Sequence, residues 1–211
     1  MKSVKGNFCC TVYVGVLLAV GGATGAAKAQ IYSVQNCSSG QKTLVKAAVV
    51  AAIGYLNASH ADSKVQRWFG AQKGTQGWTD TINDIAYFKS YAGMLINRDV
   101  GGAFDPQAVT FDCSGGRSSL VAHNKGAGTG TIYLDDLFWG LPVKSSYCCK
   151  NSQAGAIIHE MSHLMGTLDA SVVWNLGVVD EFQLALDIAS QDGPYTAVWN
   201  ANNWEYFFQN L

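Results

Sequence analysis

Apolar residues recur at helical spacing through the first half of the chain. Over residues 41–57, Leu44, Val45, Ala48, Val49, Ala52 and Leu56 fall on one side of a helix, and Cys37-Ser38-Ser39-Gly40 just before them offers a serine cap. Val65, Trp68 and Phe69 repeat the pattern over residues 62–69, where Gly70 stops it. A third helix is predicted over residues 79–97, with Ile82, Ile85, Ala86, Tyr91 and Leu95 as its buried stripe. From Gly101 the texture changes to glycine-rich turns between short β-prone runs at 108–113, 118–122 and 131–134. The segments 114–117 and 124–130 read as hairpin connections, so the small sheet is expected to be mainly antiparallel. Residues 152–165 return to helical spacing, with Ile157, Ile158, Met161, Leu164 and Met165 inward. Two more helices follow over 180–189 and 195–209, broken by Gly193-Pro194. The expected class is α+β: a helical N-terminal layer, a small sheet, one central helix and C-terminal helices.

Composition narrows this to one unit. A chain of 211 residues, 48% hydrophobic and 14% charged, can bury one good core and is too short for two enzymatic domains. Lys2 and Lys5 precede an apolar run from Phe8 to Val20, and small residues end in Ala27-Lys28-Ala29. That is the pattern of a secretory signal peptide over residues 1–29, and its apolar core is shorter than the roughly 20 residues a spanning helix needs. The expected organisation is signal peptide 1–29 and a single domain 30–211, secreted, monomeric and not membrane-bound, with no long propeptide. Loss of the signal removes three lysines and no acid, leaving 11 basic against 15 acidic side chains. A net charge of −4 argues against nucleic acid and anionic membranes as partners.

Cys9 and Cys10 leave with the signal, and Cys37, Cys113, Cys148 and Cys149 remain in an oxidising compartment, where four cysteines allow three pairings. Adjacent Cys148 and Cys149 bridge each other only through a strained ring. No C-x2-C pair exists, which disfavours a four-cysteine zinc site.

The chemistry lies in His159-Glu160-Met161-Ser162-His163, an H-E-x-x-H pattern. Histidines four apart on a helix share a face, about 6 Å apart at Cβ, so both imidazoles can reach one ion at roughly 2.0–2.1 Å. Glu160, one residue along, is placed to hold a water in the open position and act as general base. That combination points to a metallopeptidase with one Zn2+ acting on polypeptides. Three carboxylates compete as third ligand. Asp169 follows Gly166-Thr167, where glycine permits a sharp return of the chain, and is favoured over Asp180 and Glu181 at the start of a later helix. His60 and His123 have no ligand spacing and are expected to be ordinary surface or loop histidines.

Six segments together carry a family resemblance: Arg67-Trp68-Phe69-Gly70; Thr131-Ile132-Tyr133-Leu134 with Phe138-Trp139; residues 154–163; Gly166-Thr167-Leu168-Asp169; and Asn200-Ala201-Asn202-Asn203-Trp204-Glu205-Tyr206-Phe207. In this order they resemble the aspzincins, the deuterolysin and peptidyl-lysine metalloendopeptidase family, and more closely the latter. The resemblance implies a zincin-like fold, His159, His163 and Asp169 as zinc ligands, and Glu160 as catalytic acid/base. It also implies a bridge between Cys37 and Cys113. A second family bridge is lost, since Asp135 stands at a cysteine position, and Cys148 and Cys149 have no counterpart.

Other departures bear on activity. The spacing from His163 to Asp169 is also seen in metzincin-like enzymes, but those carry a methionine turn after the site, and the last methionine here is Met165. Val172 replaces a tyrosine that stabilises the oxyanion in the family, so Tyr195 or Tyr206 substitutes or the enzyme is slow. The two acids associated with lysine selection correspond to Asn202 and Glu205, so one carboxylate is left to favour a basic side chain. The expected function is a secreted zinc endopeptidase that favours lysine or other basic residues. The competing reading is a secreted zinc-binding protein or effector that keeps the scaffold with little catalysis.

Overall fold

The computed structural model describes residues 32–96, 109–125, 130–145, 151–169 and 180–209. Residues 1–29, read above as a signal peptide, and Cys148, Cys149 and Val172 lie outside them.

The described chain opens with a strand the apolar pattern did not announce, β1 (Ser33–Gln35), and then the helical layer: α1 (Ser39–Asn57), α2 (Asp62–Phe69) and α3 (Gln76–Ile96). Strands β2 (Thr110–Asp112), β3 (Ala122–Asn124) and β4 (Thr131–Leu134) follow, and a 3-10 turn over Asp136–Gly140 leads to α4 (Gln153–Leu164). The C-terminal part holds α5 (Glu181–Asp187), a π-turn over Ile188–Asp192, α6 (Pro194–Ala197) and α7 (Ala201–Phe208).

Local chemistry sets these boundaries. Ser38 and Gln41 form a reciprocal capping box at the start of α1, the Ser38 side chain accepting from the Gln41 N–H and its own N–H donating to Gln41 Oε1. Gly70 ends α2 in the left-handed region at φ 65°, where a Cβ would run into the carbonyl of Ala189. Cys37 and Cys113 are bridged, with Cα atoms 5.0 Å apart, which ties the entry of α1 to the end of β2.

The sheet corrects the mainly antiparallel expectation. Its order is β1-β2-β4-β3, with β1 and β2 parallel, β2 and β4 parallel, and only β3 and β4 antiparallel. The whole helical layer lies between β1 and β2, a crossover of the length that parallel pairing requires. The 114–117 segment is no hairpin, because β4 rather than β3 sits beside β2. The expected strand at 118–122 is therefore a turn that becomes a strand only at Ala122.

Two helices differ in detail. In α3 the buried positions are Thr81, Ile85, Phe88 and Ala92, while Ile82 and Ala86 face outward, and the Leu95 side chain lies outside the described set. In α1, Leu44 is likewise exposed although Val45, Ala48, Val49, Ala52 and Leu56 are buried. The expected helix over 195–209 breaks at Asn200, which pairs with Leu168 as an isolated parallel bridge: the Leu168 N–H donates to the Trp199 carbonyl and the Ala201 N–H to the Leu168 carbonyl.

The core lies where α4 packs against α7 and α1. Phe88 stacks on Trp204 at 4.8 Å between ring centroids, and Phe69 meets Trp204 at 4.9 Å and Phe207 at 5.2 Å. Asn203, fully buried, donates its amide to the carbonyls of Ala185 and Trp68 and so joins α7 to α5 and α2. Among the described residues, every position of α4 is buried except His159 and His163, which are partly exposed.

Candidate metal centre

His159 and His163 stand one turn apart on α4, each side chain 14% exposed, with their Nε2 atoms 3.2 Å apart. The chain leaves α4 through Gly166, at φ 100°, and the bridge to Asn200 pins the returning segment. That return puts Asp169 Oδ1 3.0 Å from His159 Nε2 and 3.4 Å from His163 Nε2. Three donor atoms from two elements therefore converge with separations of 3.0, 3.2 and 3.4 Å. Ligands about 2.0–2.1 Å from a tetrahedral ion lie about 3.3–3.4 Å from each other, so the triangle has the size of one face of a zinc coordination shell. Asp169 Oδ1 is buried and has no hydrogen-bond donor among the described residues, an orphan that a cation would satisfy. The donor set fits zinc.

The His163 corner of the triangle and the turn that follows it are held from behind. His163 Nδ1 lies 2.8 Å from the Thr167 carbonyl, which favours a proton on Nδ1 and leaves Nε2 free. Ser162 Oγ donates to the His159 carbonyl, and it shares a hydrogen bond at 2.7 Å with Thr167 Oγ1, clamping the turn after α4. Burial alone would raise the Asp169 carboxyl, but the two imidazoles facing it outweigh burial and hold it well below the usual carboxylate range. Burial opposes protonation of His159, yet Asp169 and Glu205 raise its pKa well above the ordinary histidine value. Both shifts describe a pocket whose carboxylates call for positive charge.

Glu160 is buried beside this triangle, and His159, Glu160 and His163 each bring one donor atom within 4.8 Å of the others. Burial raises its carboxyl, against the lowering pull of His159 and His163, toward the range useful to a general base. Asn124 on β3 donates to Glu160 Oε2 at 2.9 Å. Sequence reasoning missed Asn124, because a lone asparagine in a predicted loop carries no spacing signal.

The other candidates divide. Asp180 caps α5, accepting the N–H groups of Phe182 and Gln183, and so stands apart from the ion site. Glu181 lines a cavity of about 240 Å³ next to the triangle, together with His159, Glu160, Asp169, Glu205 and the segment from Ser119 to Ala122. Burial raises the Glu181 carboxyl, opposed by His159 and reinforced by Glu205, Asp169 and Asp180. Glu205 lies 3.3 Å by its Oε2 from His159 Nδ1. Asn202, one turn earlier on α7, is fully buried and neither of its amide atoms has a hydrogen-bond partner among the described residues.

Neither tyrosine named as a stand-in at Val172 lines the cavity. Tyr195 is exposed and donates to Asp80, and Tyr206 is buried against Trp68 and Phe182. His60 lies in the expected kind of place, a loop between α1 and α2, whereas His123 sits on β3, and both are partly buried. His60 packs on Phe207 at 4.3 Å with both ring nitrogens buried, and His123 stacks on Tyr133 with its Nδ1 2.6 Å from buried Asp135. Asp135 also accepts the Arg117 N–H, so one buried carboxylate ties His123 to the turn before β3.

The sequence profile of the aspzincins, described as lysine-specific metallo-endopeptidases, matches residues 55–209. The chain belongs to the aspzincin family. An extracellular protease of Aeromonas hydrophila is 31% identical to this aspzincin over 186 residues, covering 83% of this chain and 46% of that protein. A peptidyl-Lys metalloendopeptidase of Grifola frondosa is 29% identical over 186 residues, 83% of this chain and 46% of its own. One from Armillaria mellea is 26% identical over 189 residues, 84% of this chain and 46% of its own. The aspzincin thus spans about half the length of the curated relatives it matches. A solved zinc peptidase from Grifola frondosa superposes with a TM-score of 0.59 at 26% identity, covering 82% of this chain and 97% of that one.

Proposed function

We propose that this aspzincin is a secreted, zinc-dependent endopeptidase that holds one Zn2+ through His159, His163 and Asp169 and cuts polypeptides, favouring basic side chains. The observation that carries the reading is the triangle of His159 Nε2, His163 Nε2 and Asp169 Oδ1 at 3.0–3.4 Å, with Glu160 beside it. A bound zinc would polarise the scissile carbonyl and lower the pKa of the attacking water.

The chain's own residues supply the rest. With Oε2 engaged by Asn124, Glu160 Oε1 is the atom that takes the water's proton and returns it to the leaving amine. Edge strand β3 and the preceding segment border the cavity, where an extended substrate can lie beside the ion. The basic preference is supported by the carboxylates of Asp169, Glu181 and Glu205 along that cavity. Secretion is supported by the signal-like residues 1–29 and the likeness to an extracellular protease.

Glu160→Gln tests the mechanism. The variant should bind zinc like the wild type and cleave casein about 100- to 10,000-fold more slowly. Cleavage at the wild-type rate would overturn the assignment of Glu160.

A further inference from the structure

Leu168 and Trp199, far apart in sequence, are brought side by side by the backbone. The Leu168 N–H donates to the Trp199 carbonyl at 2.9 Å, and the Leu168 carbonyl accepts the Ala201 N–H at 3.1 Å. Both side chains are large and apolar, yet they are 55% and 61% exposed, while their polar neighbours Thr167 and Asn200 are buried. A lone exposed hydrophobe is ordinary, but an adjacent pair that includes tryptophan, a residue type enriched in binding hot spots, offers a contact surface. The pair sits on a firm frame. The Trp199 N–H donates to the Thr196 carbonyl at 3.0 Å, the Asn200 N–H to the Ala197 carbonyl at 3.2 Å, and Trp204 Nε1 to the Val198 carbonyl at 2.8 Å. A side chain presented on a segment tied in this way loses little freedom when something binds to it.

The position of the pair names its occupant. Leu168 directly precedes Asp169, whose Oδ1 lies 3.0 Å from His159 Nε2, so the apolar surface begins one residue from the ion site. Neither Leu168 nor Trp199 lines the acidic cavity, so this surface is separate from it. A substrate strand advances about 3.3 Å per residue, and its residues within three positions of the cut therefore pass within about 10 Å of the ion. We propose that Leu168 and Trp199 form a subsite for an apolar side chain of the polypeptide substrate, at one fixed position within about three residues of the scissile bond. The inference rests on the peptidase reading above. A Leu, Met or Phe side chain laid on this pair takes apolar surface out of water on both partners, and a Ser or Asp side chain does not. The difference carries into the transition state, because the flanking residues stay bound while the bond is cut, and it is read in kcat/KM.

The test digests a denatured protein mixture with the zinc-loaded protein and reads the residues flanking each cut by mass spectrometry. Two synthetic peptides then differ only by Leu or Ser at the position the digest picks out. The wild type should enrich apolar residues at one flanking position and cleave the Leu peptide with a kcat/KM about 10-fold above that of the Ser peptide. In Trp199→Ser that ratio should fall toward unity, Leu168→Ser should lower it in the same direction, and Trp199→Phe should keep most of it. Zinc content should match the wild type in all three. If the pair only supports the return of Asp169, the variants lose zinc or slow both peptides alike with the ratio intact, and that result overturns the proposal. A wild-type dimer in sedimentation that Trp199→Ser converts to a monomer, with the ratio unchanged, would assign the pair to a contact between copies instead. Zinc-dependent cuts with no apolar position defeat the subsite alone, whereas a wild type that makes no zinc-dependent cuts defeats the peptidase reading and the subsite with it.

Discussion

Asn124 donates its side-chain amide to Glu160 twice, to Oε2 at 2.9 Å and to the backbone carbonyl at 3.0 Å. An edge strand thereby fixes the rotamer of the proposed general base and the turn of α4 that carries it. Asn124→Ala should lower kcat about 10- to 100-fold, because the carboxylate gains freedom to leave its reacting geometry. KM and zinc content should stay close to wild type. Steady-state kinetics on one peptide, with metal analysis of the same sample, checks both.

Two of the acids considered as third ligand, Asp169 and Asp180, should separate by metal content. Asp169→Ala removes one corner of the donor triangle and should not retain zinc through gel filtration. Asp180→Ala should keep its zinc and lose about 1 kcal/mol of stability, since that side chain caps α5. Elemental analysis and a urea titration distinguish the two.

The site was more legible than the sheet, for physical reasons. H-E-x-x-H fixes the relative placement of His159 and His163 wherever the segment is helical, and the glycine at 166 marks the return toward Asp169. Nothing comparable announces a parallel strand three residues long, and β1 and β2 take their pairing from the helical layer between them. The stripe of α3 missed because Phe88 rather than Ile82 faces Trp204, a choice made by the partner helix and not by local hydrophobicity. His60 does sit in a loop, but nothing in the spacing announces the partial burial of either histidine, which depends on Phe207 for His60 and on Tyr133 with Asp135 for His123.

Gly70 is required by space as well as by backbone. Its φ of 65° strains any other residue, and a Cβ would meet the Ala189 carbonyl oxygen. Gly70→Ala should cost about 2–4 kcal/mol, the sum of a left-handed backbone and overpacking against a main-chain atom. Chemical denaturation gives the value, and a loss below 0.5 kcal/mol would show that the contact between α2 and the π-turn yields easily.

Burial between Phe207 and Phe208, with Lys89 and Lys64 nearby, lowers the His60 pKa from 6.5 to about 4. Between those two values the unfolded chain binds a proton that the folded chain refuses, so stability rises with pH across the window. The contribution is complete above about 6.5 and lost as pH falls toward about 4. In metal-free samples, the wild-type unfolding midpoint should fall more steeply between pH 6.5 and 4 than that of His60→Phe. Parallel curves would mean that His60 protonates equally well in both states.

The most direct test of the peptidase reading is a digest of a denatured protein mixture by the purified protein, run as isolated, after chelation and after zinc is restored, with every new terminus identified by mass spectrometry. The reading predicts cuts that vanish with the chelator, return with zinc and cluster at basic residues. Zinc bound at one ion per chain with no new termini under any condition would contradict it.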